Sequence, residues 1–325
     1  MPGGASPSRH PSGLTAWSKG LASYILRRLL INIPILFLVV TAVFFAFQLI
    51  PGDPAQMYAG EDAEPWEVEQ IRRELGLDRP VLVQYSTYLS RLVRGDLGKS
   101  IYFREPVIES IKRRYWNTVK LALVSVSLAT LLGLPLGVLS AIHRAKAVDH
   151  LISVVALLGI SIPVFWLGLL LMYLFSVRLG LLPTAGMETL RSYVMPSISL
   201  SAFSMAFITR MGRSSMLETI QKEYVRTARA KGLPEPRVVV GHALRNALLP
   251  IITIVGLRFG YMLGGAVIIE SVFAWPGMGR LFITAVRQRD IPLVQGVLLV
   301  FAASFTLVNL AVDLSYAYAD PRIRY

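Results

Sequence analysis

The 325-residue sequence contains no cysteine. That excludes a disulfide framework, thiolate nucleophiles and sulfur-ligated metals. Histidine is nearly as scarce. His10, His143, His150 and His242 form no cluster with acidic neighbours at ligand spacing, which argues against a metal centre. Charge is thin too, at 16% of residues against 54% hydrophobic, with mean hydropathy +0.55. These proportions exclude an ordinary soluble domain and fit a chain that crosses a membrane several times. Acidic residues are the scarcer sign, 20 against 33 basic, giving a net charge of +13. The basic residues lie in short segments between apolar runs, so their expected partner is membrane lipid and not nucleic acid. Motifs for covalent chemistry are also missing: there is no HExxH, no GxSxG and no pair of carboxylates inside an apolar run. No catalytic residue, metal or cofactor is therefore expected in this chain.

What is present is a series of apolar runs, read as an all-α integral membrane protein with six transmembrane helices. Residues 1–22, rich in Pro, Gly and Ser, read as a disordered tail. Arg27 and Arg28 abut the first run, taken as a transmembrane helix over 23–50. It exceeds the ~20 apolar residues that a bilayer requires and is too long for a signal-peptide core. Its basic flank places the N-terminus in the cytoplasm. Residues 51–117 are polar and mixed in charge, with helical character at 65–75 and 81–93, and read as an extracytoplasmic subdomain. Residues 118–318 form the transmembrane core, with spans at about 119–142, 151–177, 194–208, 248–269 and 291–316. The fourth of the six, rich in Ser and small residues, suits protein contact better than lipid. A loop over 213–247 interrupts the core, and 319–325 return to the cytoplasm. Arg144, Lys146, Arg210, Arg213 and the basic residues of that loop fall on the N-terminal side of the membrane, as the positive-inside rule requires.

Gly95-Asp96-Leu97-Gly98-Lys99-Ser100 imitates the end of a phosphate-binding loop, but Val93 stands where the first glycine belongs and no strand precedes it. No nucleotide site is assigned. The 213–247 loop is the more informative stretch. Residues 223–231 contain no Pro or Gly and read as a short basic helix; Gly232 can end it and Pro234 prevents its continuation. A second helical segment is expected from about Arg237. A topology-setting loop explains the charge; a docking surface also explains two helices joined by a Gly-x-Pro break.

On the fifth span, Gly256, Gly260 and Gly264 recur every four residues. Such a stripe lets another helix approach, either within one subunit or at a subunit interface or pathway. Arg258 lies inside the same span, where a charge normally faces protein or water, and Asp313 of the sixth span is its candidate partner. Trp116, Trp166 and Trp275, near span ends, read as interfacial anchors.

Residues 224–245 resemble the cytoplasmic coupling loop of type I ABC-importer permeases. Arg226-Thr227-Ala228 take the place of the family's Glu-Ala-Ala, Gly232 is its glycine and Leu244 its leucine. His242 and Arg245 replace an isoleucine and a proline, as in the peptide-permease branch. Leu49-Ile50-Pro51-Gly52-Asp53-Pro54, Ser161-Ile162-Pro163-Val164-Phe165-Trp166, Trp275-Pro276-Gly277-Met278-Gly279 and Asp320-Pro321-Arg322 resemble the same branch, in the same order. The resemblance implies a B-type subunit of a dipeptide or oligopeptide importer in a bacterial inner membrane, with both termini cytoplasmic. It implies as partners a second related permease, two ATPase subunits carrying ATP and Mg, and an extracytoplasmic or lipid-anchored binding protein. Relatives of this type take peptides, haem, glutathione or nickel complexes. The coupling contacts would be Glu223, Tyr224, Arg226, Ala228, Arg229, Ala230, Lys231, Gly232, His242 and Arg245. The alternative is a stand-alone channel or secondary transporter, which would need inverted repeats or several midplane carboxylates.

Overall fold

Backbone N–H and C=O groups inside a bilayer have no water to bond, so an apolar run closes its own bonds as helix. The computed structural model describes residues 13–49, 52–60 and 62–319. Among them the chain is helical, and Lys99 and Pro106 make one isolated β-bridge. Among the described residues five helices are long and apolar enough to cross a membrane, and a bent helix pair makes a sixth if it counts as one broken span.

Helix α1 runs over Gly13–Gln48. The expected disordered tail over 1–22 is therefore corrected from Gly13 onward, and its first twelve residues lie outside the described ones. The reason is that residues 13–22 carry no proline, and extending an existing helix costs far less than nucleating one. Helices α2 (Pro54–Ala59), α3 (Pro65–Glu74) and α4 (Val81–Val93) follow. Asp53 caps α2 through the Ala55 N–H at 3.0 Å and receives Arg72 of α3 at 2.5 Å. Helix α4 leans on α1: Thr41 Oγ1 and Tyr85 Oη are 2.5 Å apart, and the Phe44 ring stacks 5.5 Å from Tyr88.

Helix α5 spans Val107–Ile142, beginning well before the expected start of the core at 118. The charged residues 112–114 concealed this start. Val107, Ser110 and Ile111 are buried on one face of the first turns, while Lys112 and Arg113 point away from it. Helix α6 (Ala147–Ser161) and helix α7 (Val164–Leu171, continued as a π-helix to Arg178) replace the single third span. Their axes meet at 101°. Pro163 lacks an N–H and forces Ile162 into an extended conformation, with ψ 122°, so α6 stops at Ser161.

Helix α8 (Val194–Ile220) is the most enclosed crossing and buries Ser197, Ser199, Ser201, Ser204 and Thr209. Its small residues meet small residues of α5. A Cβ on Gly133 would stand 2.8 Å from the Met205 carbonyl oxygen, and one on Gly137 would stand 2.6 Å from that of Thr209. The Thr209 hydroxyl donates to the Gly133 carbonyl at 3.1 Å. Helix α9 (Glu223–Ala230) is followed by a single turn, α10 (Glu235–Arg237), which runs through a π-helical stretch, Val238–Leu244, into α11 (Arg245–Val272). Helices α12 (Met278–Arg287) and α13 (Ile291–Ala319) complete the described chain, and the expected return over 320–325 falls outside it.

Two buried carboxylates organise the end opposite α9. Glu270 accepts from the Thr118 hydroxyl at 2.6 Å and from the Gly279 and Arg280 N–H groups at 2.7 and 3.1 Å, tying α5, α11 and the first turn of α12 together. Asp290 accepts from Ser100 Oγ, from the Tyr102 N–H at 3.1 Å and from the Leu293 N–H at 3.2 Å, fixing the 98–106 loop to the start of α13. Ser100, the last residue of the phosphate-loop imitation, is thus packed against a carboxylate. Trp275 is fully buried and donates to the Asn117 carbonyl at 3.1 Å, so it is a core residue and not an interfacial anchor.

Candidate functional site

An eight-residue helix has no stability of its own in water. Helix α9 holds because Val225 and Ala228, three residues apart on one face, enter a small core. That core also contains Ala141 of α5, Met216 of α8, Val238, Val239 and Ala243 of the π-helical stretch and Ala247 of α11. Burying Val225 alone is worth about 1.5–3 kcal/mol.

The turn after α9 follows from its residues. Gly232 has φ +77°, the left-handed geometry that ends a helix, and its N–H bonds the Arg229 carbonyl at 2.9 Å. Arg229 then reaches across the turn to Glu235, with Nη2 to Oε1 at 2.6 Å and Nε to Oε2 at 3.1 Å. This bidentate pair holds the Glu235 carboxyl below the usual carboxylate range.

Behind α9, α8 is locked to α5 and α6. Asp149, 3% exposed, accepts from Arg213 Nε at 2.7 Å, Arg213 Nη2 at 2.8 Å, the Ala145 N–H at 2.9 Å and the Ser140 hydroxyl. Asp149 thus has four donors, two of them from one forked guanidinium, and charge-assisted bonds of this kind are the strong ones. Sequence reasoning missed it. Arg213 figured only as a basic residue between spans, and Asp149 sits in the short charged segment 143–150, where Arg144 and Lys146 are nearer in sequence than its partner 64 residues on.

The expected coupling residues divide accordingly. Glu223, Tyr224, Arg226, Arg229, Ala230 and Lys231 are exposed on the outer side of α9, with Tyr224 43% exposed. Ala228 faces inward and is corrected from a contact residue to an anchor, because α9 turns that position onto Met216 and Val239. Gly232 is exposed, with no atom within 4 Å of the place a Cβ would take. His242 and Arg245 are exposed further along, and His242 lines an open groove of about 490 Å³ with Leu233, Pro236, Arg237, Val240 and Gly241. The groove begins at Leu233, directly after the Gly232 turn that ends α9.

The second group of expected residues is not one site. Cβ atoms on Gly256 and Gly260 would meet Val312 at 2.0 Å and Phe305 at 3.0 Å, so these glycines seat α11 against α13 of the same chain and are corrected from pathway or interface positions. Gly264 has nothing within 4 Å and remains open. Arg258 does not pair with Asp313. Among the described residues its partners are the rings of Phe207, Phe203 and Tyr261, at 3.7, 5.2 and 5.8 Å from guanidinium carbon to centroid.

Residues 133–325 match the family described as binding-protein-dependent transport system inner membrane component, and residues 21–122 match the N-terminal domain of such membrane components. The glutathione transport system permease protein GsiC of Escherichia coli K12 is 43% identical over 305 residues, covering 94% of this chain and 100% of GsiC. GsiC of Salmonella paratyphi A shows the same identity and coverage, and GsiC of Shigella flexneri serotype 5b is 42% identical over the same length. Among solved structures, the inward-facing MetNI methionine ABC transporter aligns with a TM-score of 0.57 at 20% identity, covering 66% of this chain and 97% of that one. The likeness to MetNI concerns fold. The family match and the end-to-end similarity to GsiC establish that the chain belongs to the inner membrane components of binding-protein-dependent transport systems, as a type I ABC-importer permease of the dipeptide and oligopeptide branch.

Proposed function

We propose that this permease forms one half of the passage through a bacterial inner membrane for glutathione or a short peptide, with α9 as the point where a separate ATPase subunit applies force. The observation that carries the proposal is the split of α9 into two faces. Val225 and Ala228 anchor it to α5, α8 and α11, while Tyr224, Arg226, Ala230 and Lys231 are left without cover in this chain. A load on the outer face passes into the crossings through the Met216–Val239 core and through the Asp149–Arg213 fork. In this reading α9 lies on the cytoplasmic side with both termini, and α12 and residues 52–106 face a binding protein on the other side. A second, related permease completes the passage, two ATPase subunits supply ATP and Mg chemistry, and closure of the ATPases rocks the crossings between two access states. The cargo class rests on similarity to GsiC along its whole length.

The test is affinity purification of the chain from its native membrane, followed by uptake assays in vesicles containing the recovered complex. Two ATPase chains, a second six-span permease and ATP-dependent uptake of glutathione or dipeptides are expected. A complex of this chain alone that transports without ATP would contradict the proposal. Gly232→Glu supplies a sharper test. The left-handed backbone disfavours any side chain there, so uptake should be lost while membrane insertion stays intact; normal uptake would sink the coupling role.

A further inference from the structure

An arginine inside a span is costly unless it faces protein, a counter-charge or water. Arg258 lies eight residues beyond Pro250, where the apolar part of α11 begins, which places it about 12 Å along the helix at 1.5 Å per residue. Phe207 lies thirteen residues along α8 from its opposite end, about 20 Å by the same rise. The two depths together match the ~30 Å apolar thickness of a bilayer, so the ring and the guanidinium meet inside it.

The aromatic partners satisfy the flat face of the guanidinium and leave its edge free. Phe207 lies 3.7 Å from the guanidinium carbon, with Phe203 and Tyr261 beside it. Among the described residues no carboxylate pairs with Arg258, and its N–H groups make no side-chain hydrogen bond. A ring face attracts a cation without neutralising it, so the donors at the edge remain available to an anion. The surrounding stripe of α11 is open. Tyr261 is 60% exposed, and Gly264 and Gly265 have nothing within 4 Å of their Cβ positions. Lipid cannot comfortably cover a stripe that carries an unneutralised cation; a wet passage can.

We propose that Arg258, held by Phe203, Phe207 and Tyr261, is a way-station for the carboxylate of the transported peptide within the membrane passage. The inference rests on the peptide-import reading given above and adds where the cargo's charge is held. The planar fork of an arginine matches both oxygens of a carboxylate, and every peptide with a free C-terminus carries that group. The uncharged side chains of the cargo would lie along the open glycine positions.

The experiment uses vesicles containing the whole complex: this chain, its companion permease, the ATPases and the binding protein. Uptake of radiolabelled glutathione and of alanyl-alanine is measured together with ATP hydrolysis. Arg258→Gln should lower maximal uptake about tenfold, the scale of a lost charge-assisted contact. The half-saturating concentration and the hydrolysis stimulated by loaded binding protein should not change. Arg258→Lys should recover part of the uptake, because it restores the charge without the planar fork. Unchanged uptake in Arg258→Gln, a parallel fall of uptake and hydrolysis, or a Lys variant no better than Gln would each overturn the assignment. If vesicles with the unsubstituted chain take up neither probe with ATP, the import reading itself fails, an outcome distinct from any of these.

Discussion

Three carboxylates carry much of the tertiary specification, and each is satisfied by donors from distant parts of the chain. Asp149 joins α6 to α8 and to the end of α5. Removing Asp149 leaves the buried Ser140 hydroxyl and the Ala145 N–H without their acceptor and Arg213, a third exposed, without its counter-charge. Asp149→Ala should therefore cost about 1–3 kcal/mol, read as a drop in the unfolding midpoint of the detergent-solubilised protein. Glycines make a second, graded prediction. A Cβ on Gly277 would lie 2.2 Å from Glu270 Oε1, whereas one on Gly264 meets nothing within 4 Å. Gly277→Ala should destabilise by about 1–3 kcal/mol and Gly264→Ala should leave the midpoint unchanged; equal effects would contradict the packing described. None of this was legible in sequence. Glu270 follows an apolar run without any local mark, and its acceptor role depends on Thr118, 152 residues earlier. Arg258 was legible as an unusual residue, but its aromatic cradle was not, because Phe203 and Phe207 belong to a different helix.

At the scale of elements, α9 shows how a short helix is fixed by two residues and used through the others. Val225→Ala should lower the unfolding midpoint, since truncating a buried valine costs about 1–2 kcal/mol. Arg226→Ala should leave the midpoint alone and reduce the amount of ATPase that purifies with the chain. If both variants behave alike, the two faces of α9 are not functionally distinct. The Arg229–Glu235 pair across the turn titrates in a known direction. Its carboxyl is held below the usual range by the guanidinium, so the stabilisation is complete above the unfolded value and fades as pH falls through the depressed one. The pair is exposed, and its net worth is under about 1 kcal/mol. Glu235→Gln should therefore leave the unfolding midpoint unaltered at neutral pH. The existence of α9, its Gly232 stop and the helix after Pro234 were readable in sequence because local chemistry sets them. The starts of α1 and α5 were not, because each helix begins well before its apolar run. The break at Pro163 stood in the sequence, but its 101° consequence required tertiary packing of α7 against α8 and Phe273.

At the scale of the molecule, the pattern of apolar runs gave the crossings, and the serine-rich run predicted which of them would be enclosed. Which surfaces face lipid, a partner or a wet passage is not set by the apolar pattern of one chain. The absence of cysteine makes that question tractable, since an introduced cysteine is the only thiol of this chain. The most direct test of the central claim, that this permease is driven through α9, is cross-linking in native membranes from single substitutions Tyr224→Cys and Val225→Cys. Tyr224 is exposed and Val225 is fully buried, although they are neighbours. The account predicts a cross-link from Tyr224→Cys to an ATP-binding subunit, altered by ATP, and none from Val225→Cys. No adduct from Tyr224→Cys, in membranes where the chain sustains ATP-driven uptake, would contradict it.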